Sequence, residues 1–222
     1  QRGCIAVRMP GGFCPRAARA DVPDVAAVVL AAGASTRMGR NKLLLELDGE
    51  SVVRRAVRTA IAAGLSPVVV VTGHARGEVE GQLHGLGCSN VHNDEYAAGT
   101  HTSVRAGIGA VGEKCGAAAV ILADMPFVTP AMLRTLVARY RESGPALVAS
   151  RYGGEFTAPP VLYDRRLFGE LRRMDARGGR EVVRRHLHEA IEVEWPAEAG
   201  RDLDRPEDYG RIGAEAAGGR RR

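Results

Sequence analysis

Four consecutive valines, Val68-Val69-Val70-Val71, set the architecture of this chain. β-Branched side chains suit an extended backbone, and a strand with no alternation of apolar and polar residues must be buried on both faces. Two further runs have the same character: Val28-Val29-Leu30-Ala31 and Ala117-Ala118-Ala119-Val120-Ile121-Leu122. Between the first two, Val52, Val53, Ala56, Val57, Ala60 and Ile61 recur at helical spacing behind Ser51 in a capping position. Arg54, Arg55 and Arg58 occupy the opposite helical face, and Gly64 stops the helix. Strand, loop, helix and buried strand in that order predict a right-handed crossover, and with it an α/β fold built on a parallel sheet. A chain of 222 residues suits one such domain, with enough core to need neither metal nor disulfide. Its expected limits are 24–212. Residues 1–23, rich in Gly, Pro, Ala and Arg, read as a disordered extension or an upstream translation artefact, and 213–222 as a disordered basic tail.

The first apolar run breaks abruptly into Ala32-Gly33-Ala34-Ser35-Thr36-Arg37-Met38-Gly39-Arg40-Asn41-Lys42. Glycines that let backbone N–H groups approach a ligand, together with Arg37 and Lys42 to neutralise charge, predict an anion-binding loop. The spacing is neither the Walker G-x-x-x-x-G-K-[ST] nor the dinucleotide G-x-G-x-x-G, because five residues separate Gly33 from Gly39 and Lys42 lies three beyond. A phosphate loop of a third kind is required. An NAD-type site also lacks the ribose-binding acid at the expected distance.

Further along, the same alternation of strand and helix delivers polar residues to strand ends. Thr72-Gly73-His74 follows the valine run, at the edge where open α/β sheets place ligands. Leu43-Leu44-Leu45-Glu46-Leu47 predicts a short strand closing in a turn, 78–86 a weak helix, and 89–92 a short strand. The stretch from Asn93 through Gly99 to Thr102 and Ser103 feeds a helix through Val104, Ile108 and Val111; its hydroxyls sit where caps belong, or face a nucleotide. Asp124 stands just past the third buried run, placed to hold Mg²⁺ against phosphate oxygens or simply to start a turn before Pro126. Thr129-Pro130 opens a helix with Leu133, Leu136, Val137 and Tyr140 inward. Later come a strand at 146–149, an extended segment over 155–163 interrupted by Pro159-Pro160, a helix over 164–173, and the loop Asp175-Ala176-Arg177-Gly178-Gly179-Arg180 at the start of another helix. Ile191-Glu192-Val193-Glu194-Trp195 alternates as a half-exposed strand, and a last short helix starts in 202–209.

A net charge of +5 and a pI near 9.3 would permit nucleic-acid binding. The basic residues, however, lie on helix faces and in Arg220-Arg221-Arg222 without the interleaved aromatics that single-strand binders use, so anionic small molecules suit the local clusters better. Cys4, Cys14, Cys88 and Cys115 form no C-x-x-C pair. Neither a disulfide framework nor a zinc site is expected, and with no apolar run of membrane-spanning length a reducing cytoplasm fits best.

Four of these segments together carry a family resemblance: Leu30-Ala31-Ala32-Gly33 through Arg37, Gly39 and Lys42; Asn93 through Gly99 to Ser103; Leu122-Ala123-Asp124-Met125-Pro126; and Asp202-Leu203-Asp204-Arg205-Pro206-Glu207-Asp208. In kind and order they resemble the MobA-like nucleotidyltransferases, most closely the molybdenum cofactor cytidylyltransferases. The resemblance implies a Rossmann-like three-layer fold with a mostly parallel mixed sheet. It also implies transfer of a nucleotidyl group, CMP from CTP, to a phosphorylated acceptor such as molybdenum cofactor (molybdopterin), with release of pyrophosphate. It assigns Arg37, Lys42 and Asp124 to catalysis. Leu30, Ala31, Ala32, Gly33, Arg37, Lys42, Thr72, Gly73, Asn93, Gly99 and Ser103 go to the nucleotide, and Asp124 with Asp204 to Mg²⁺. Ala32, where guanosine-using relatives carry glycine, favours the smaller base, so CTP is expected over GTP.

The chain departs from the cytidylyltransferase pattern at Phe156-Thr157-Ala158-Pro159-Pro160-Val161 and at Met174-Asp175-Ala176-Arg177-Gly178-Gly179-Arg180. Pro160, Gly178, Gly179 and Arg180 are the residues expected to meet the acceptor. Sugar or polyol phosphates therefore remain as alternative acceptors, GTP as an alternative donor, and a non-catalytic nucleotide-binding, cofactor-delivery protein as an alternative role. The product's handover to a molybdoenzyme or its chaperone is the partner expectation.

Overall fold

The computed structural model describes residues 24–35, 39–176, 178–203 and 208. The expected extension over 1–23, the tail over 213–222, Arg37 and Asp204 lie outside these residues, as does nearly all of the helix expected in 202–209.

The first buried run extends backwards to give β1 (Asp24–Ala31), and the valines form β4 (Val68–Thr72), paired in parallel from Ala27 opposite Val68 to Ala31 opposite Thr72. Between them lie a two-residue hairpin, β2 (Glu46–Leu47) with β3 (Glu50–Ser51), and helix α1 (Val52–Ala62). The chain continues through α2 (Arg76–Gly81), β5 (Ser89–His92), α3 (Thr100–Ala110), β6 (Cys115–Leu122) and α4 (Pro130–Ser143). It then forms β7 (Leu147–Tyr152), β8 (Phe156–Asp164), α5 (Phe168–Leu171), α6 (Gly178–Arg185) and β9 (Ala190–Trp195). Seven strands make one sheet in the order β5-β4-β1-β6-β8-β7-β9, and only β8 pairs antiparallel to its neighbours. The mostly parallel, mixed sheet expected of the fold class is what forms.

Two apolar layers cover the sheet, and β1 supplies both by alternation. Val25, Ala27, Val29 and Ala31 belong to one layer with Val53 and Val57 of α1 and Leu133 and Leu136 of α4. Ala26, Val28 and Leu30 belong to the other, with Val104 and Ile108 of α3, Leu171 of α5 and Val182 of α6. A strand whose two faces both enter a core gains about 25 cal/mol for each Å² of apolar surface on either side, which is why unbroken apolar runs select its position.

Several local expectations change. Only Glu46–Leu47 of 43–47 is strand, because Asn41 Oδ1 accepts the Leu43 N–H at 3.0 Å and turns Lys42–Leu44 into a 3₁₀ helix. Ser51 precedes α1 but makes no capping bond; its Oγ is buried without a partner. The weak helix over 78–86 is shifted and shortened to Arg76–Gly81, and the helix over 164–173 divides into a 3₁₀ turn at Arg165–Leu167 and the short α5. Asp164 sets that division by accepting the Arg166 N–H at 2.8 Å.

Pro159 and Pro160 do not interrupt the extended segment. They lie inside β8 at its one irregularity, where β7 moves from Ala149 opposite Val161 to Ser150 opposite Ala158. Prolines cannot donate to a ladder, and a bulge is where that costs least. Ser150 Oγ donates to the Pro160 carbonyl at 2.7 Å and Tyr152 Oη to the Pro159 carbonyl at 3.0 Å, so both carbonyls displaced from the ladder are satisfied.

Candidate active site

Beyond β1 the sheet order reverses: β4 and β5 lie on one side of it and β6 on the other. Such a switch point opens a crevice outside the carboxyl ends of the strands. Here three strand ends are laced together by backbone bonds. The Ala123 N–H donates to the Leu30 carbonyl at 3.1 Å, the His74 N–H to the Ala32 carbonyl at 3.2 Å, and the Asn93 N–H to the Thr72 carbonyl at 2.8 Å. Gly73 is obligatory in this lacing, since a Cβ there would stand 2.7 Å from Tyr96 Cβ and 2.8 Å from Ala32 Cβ. Leu30, Ala31 and Ala32 are accordingly buried, while Gly33 opens to solvent.

The loop after β1 closes on itself through Ser35, whose Oγ accepts the Lys42 N–H at 3.1 Å. Ser35 holds a left-handed backbone at φ 52°. Its closing role was not legible in the sequence, where a serine in a small-residue loop carries no distinguishing signal. Lys42 then reaches across the switch point: its Nζ lies 2.5 Å from Asp124 Oδ2, with the two side chains 13% and 18% exposed. The cation and the acid, 82 positions apart in the chain, are thus one electrostatic unit at the crevice mouth. The segment leading to Asp204 is tied to the same point, because the fully buried Leu203 donates its N–H to the Asp124 carbonyl at 3.0 Å.

A buried polar network braces the other wall. Asn93 Nδ2 donates to Thr102 Oγ1 at 2.8 Å and to Ser103 Oγ at 3.0 Å, and Asn93 Oδ1 accepts the Glu95 N–H at 3.1 Å. All three side chains are at least nine-tenths buried. Asn93 therefore spends both amide protons inside the protein, holding the turn before α3 against the first turn of that helix. Thr102 and Ser103 are not its caps; Gly99, at φ 125°, occupies the N-cap position. Thr72 is likewise engaged, its hydroxyl donating to Glu80 at 3.1 Å, where Arg76 Nε also binds at 2.9 Å.

The residues expected to meet an acceptor gather on the α3 and α6 side of the sheet. A cavity of about 690 Å³ is floored by Leu30, Val120 and Leu122 and walled by Gly99 to His101, Thr157 to Pro159, and Gly178 to Arg180. Because β8 runs against β6, pairing Val120 with Val161, its amino end arrives at the crevice edge instead of the far side. Pro160 itself is buried with its carbonyl held by Ser150, and it is Pro159 that lines the cavity. The sequence reading missed Tyr163, which lies in the same wall; burial pushes its phenol far above the ordinary value, so it is a neutral O–H donor.

Among the described residues no three His, Cys, Asp or Glu side chains converge. A lone, part-exposed Asp124 beside a lysine is no closed metal cage. It does fit a hard cation of the Mg²⁺ type, which binds one or two carboxylates and completes its shell with phosphate oxygens and water. No helix is long and apolar enough to cross a membrane among the described residues, and Cys88 and Cys115 are free thiols.

A mostly parallel sheet with a ligand crevice at its switch point, one wall carrying a paired lysine and aspartate, is the architecture of the Rossmann-like nucleotidyltransferases. The chain belongs to the MobA-like members of that class: residues 27–190 match the MobA-like NTP transferase domain. It is 32% identical over 200 residues to the purine catabolism protein PucB of Bacillus subtilis, covering 84% of this chain and 95% of PucB. To the molybdenum cofactor cytidylyltransferase of Escherichia coli it is 28% identical over 185 residues, 82% of this chain and 92% of that enzyme. Among solved structures, Rv0371c of Mycobacterium tuberculosis superposes with a TM-score of 0.73 at 28% identity, covering 86% of this chain and 98% of that one. That protein has also been solved in complex with manganese. Matches to the bifunctional protein GlmU, 33% identical in Geotalea uraniireducens, span 53% of this chain but only about a quarter, 26%, of GlmU.

Proposed function

We propose that this protein transfers CMP from CTP to the terminal phosphate of molybdenum cofactor and releases pyrophosphate. The observation that carries the reading is the Lys42–Asp124 pair, 2.5 Å apart across the sheet's switch point. It combines the two functions that phosphate transfer demands, a fixed cation for departing charge and a carboxylate for a divalent metal. The methyl of Ala32, where a larger base would need room, favours CTP as donor; likeness alone does not choose the base, at 28% identity to a cytidylyltransferase and 31% to a probable guanylyltransferase of Opitutus terrae.

In this reading an oxygen of the acceptor phosphate attacks the α-phosphorus of CTP. The new P–O bond forms as the bond to the β-phosphate oxygen breaks, and that oxygen's electron pair leaves with pyrophosphate. The acceptor phosphate is already ionised at neutral pH, so no general base is needed. Lys42 and Arg37 hold the β- and γ-phosphates, and Lys42 stabilises the charge that grows on the leaving group. Backbone groups of Leu30 to Gly33, braced through Gly73 and the Asn93 network, receive the nucleoside. Asp124 and Asp204 would hold Mg²⁺, which supplies charge neutralisation between donor and acceptor phosphates. A molybdoenzyme or its chaperone would take the product.

The test is pyrophosphate release with each of the four ribonucleoside triphosphates, with and without molybdenum cofactor. Release with CTP only when the cofactor is present is the expected result, together with a loss of at least about 10²-fold in Asp124→Ala. Unchanged turnover in that variant, or tight CTP binding without any pyrophosphate, would refute the proposal.

A further inference from the structure

The cavity between the sheet and α6 contains a hydroxyl that the protein does not use. Tyr163 is 4% exposed, and among the described residues its Oη meets no hydrogen-bond partner, although it lines the cavity wall. Although the residue is buried, its hydroxyl is not among the buried polar atoms left without a partner; it opens on the cavity and is free to donate to what the cavity holds. Two other phenols do have protein partners: the half-buried Tyr140 Oη lies 2.8 Å from Asp164 Oδ2, and the fully buried Tyr152 Oη donates to the Pro159 carbonyl.

Two features around Tyr163 point the same way. Alternation along β8 puts Val161 and Tyr163 in the layer that includes Leu30 and Val120, so the hydroxyl stands beside an apolar part of the wall. Beside it α6 begins with Gly178 and Gly179, and a Cβ on Gly179 would stand 3.4 Å from Tyr163 Oη. Glycine there leaves the hydroxyl uncovered, while the Gly178 N–H is already donated to the Asp175 carbonyl at 2.9 Å. The lining contains no carboxylate, while Arg180 and Arg184 stand at its rim.

We infer that Tyr163 is a polar anchor of the acceptor site, donating the hydroxyl it turns to the cavity to an acceptor whose body is flat and largely apolar, with one hydrogen-bonding edge. A volume of about 690 Å³ accommodates a ligand of that size. The apolar floor of Leu30, Val120, Leu122 and Val161 suits an apolar face of the ligand, while Thr100, His101, Thr157, Arg180 and Arg184 are the polar side chains elsewhere in the lining. The inference rests on the proposed transfer for naming the ligand an acceptor, and it selects among acceptors by the cavity's chemistry alone.

Two measurements on the full chain test it. With CTP, Mg²⁺ and molybdenum cofactor, Tyr163→Phe raises KM for the cofactor about 2- to 10-fold and leaves KM for CTP unchanged. Its melting temperature holds or rises, because the lost hydroxyl had no protein partner; a structural hydroxyl would instead lower it. Gly179→Ala, which covers the hydroxyl without removing it, raises the same KM. Separately, free pterin is titrated as a fluorescent probe. Saturable quenching in the wild type, weakened at least about 2-fold in Tyr163→Phe, supports the site. Absent quenching, equal affinity in both proteins, or efficient turnover of a sugar phosphate overturns it. If pterin binding behaves as expected but no triphosphate yields pyrophosphate with the cofactor, the proposed transfer fails and the binding site stands.

Discussion

Gly107 lies in the middle of α3, where glycine is a poor helix former, and its replacement tests how closely that helix must approach the sheet. A Cβ built there stands 2.3 Å from Val28 Cγ1 and 2.9 Å from Val71 Cγ2. Both valines are fully buried on central strands. Carbon atoms pack at about 3.5–4.0 Å, so Gly107→Ala must push α3 off the sheet by more than about 1 Å. Overpacking of this kind costs about 1–3 kcal/mol, while alanine returns about 0.5–1 kcal/mol of helix propensity. The net expectation is a loss of about 1–2 kcal/mol, read as a fall in melting temperature of about 2–8 °C for a chain of this size. Gly109→Ala supplies the control within the same helix, since Gly109 is exposed and its Cβ would meet nothing within 4 Å. It gains propensity without the clash, about 0.5–1 kcal/mol. Thermal melts of the two variants should therefore move in opposite directions. If Gly107→Ala rises alongside Gly109→Ala, the close approach of α3 to Val28 and Val71 is wrong, and with it the placement of the Gly99 to Ser103 turn over the crevice.

Asn93→Ala strands the Glu95 N–H and removes the donors to Thr102 and Ser103, so it should cost about 1–3 kcal/mol in denaturant melts and raise the nucleotide KM. Thr129→Ala removes the cap that accepts the Met132 N–H at 3.2 Å on α4; about 1 kcal/mol should be lost in denaturant melts. Burial first, then the bond to Asp164, pushes the Tyr140 phenol up to about 12. Its contribution to stability is therefore complete below its ordinary value of 10.0 and lost as the pH rises through about 12. An ultraviolet titration of phenolate should show the shift, and Tyr140→Phe should remove that portion of the alkaline loss; an ordinary titration at Tyr140 would contradict the burial.

The half of the fold proposed to hold the nucleotide was legible because its signals are local. Val68 to Val71 and Ala117 to Leu122 read as buried strands and are fully paired in β4 and β6. Thr129 and Pro130 read as a helix start and are one. The acid past a strand and the lysine past a glycine loop could be named separately, but that Lys42 touches Asp124 is a product of topology: it exists because β6 lies directly beside β1. Local pattern also misled where a buried partner decided the outcome. Thr102 and Ser103 look like caps, and only Asn93, nine and ten positions earlier, turns them into a brace inside the first turn of α3.

Strand direction is what the sequence could not convey in the second half, and direction is what builds the cavity beside β8. An extended segment containing Pro159-Pro160 reads the same whether it runs with β6 or against it. Had β8 been parallel, Thr157 to Pro159 would lie at the opposite edge of the sheet, and Tyr163 would stand at the crevice in their place. Running antiparallel, β8 brings its proline-bulged start level with Leu122 and leaves Tyr163, opposite Ala118, partway down the wall. The bulge is then necessary as well as tolerated: two prolines at the mouth remove N–H donors, and Ser150 and Tyr152 tie up the freed carbonyls from the other side. With the proline N–H donors gone, the hydroxyls of Thr157 and Tyr163 and the side chain of Arg180 are among the polar groups left along that lining. If the proposed transfer holds, the strand reversal and the Tyr163 phenol shape the acceptor side and the loop after β1 the donor side, and Tyr163→Phe is the variant that separates them.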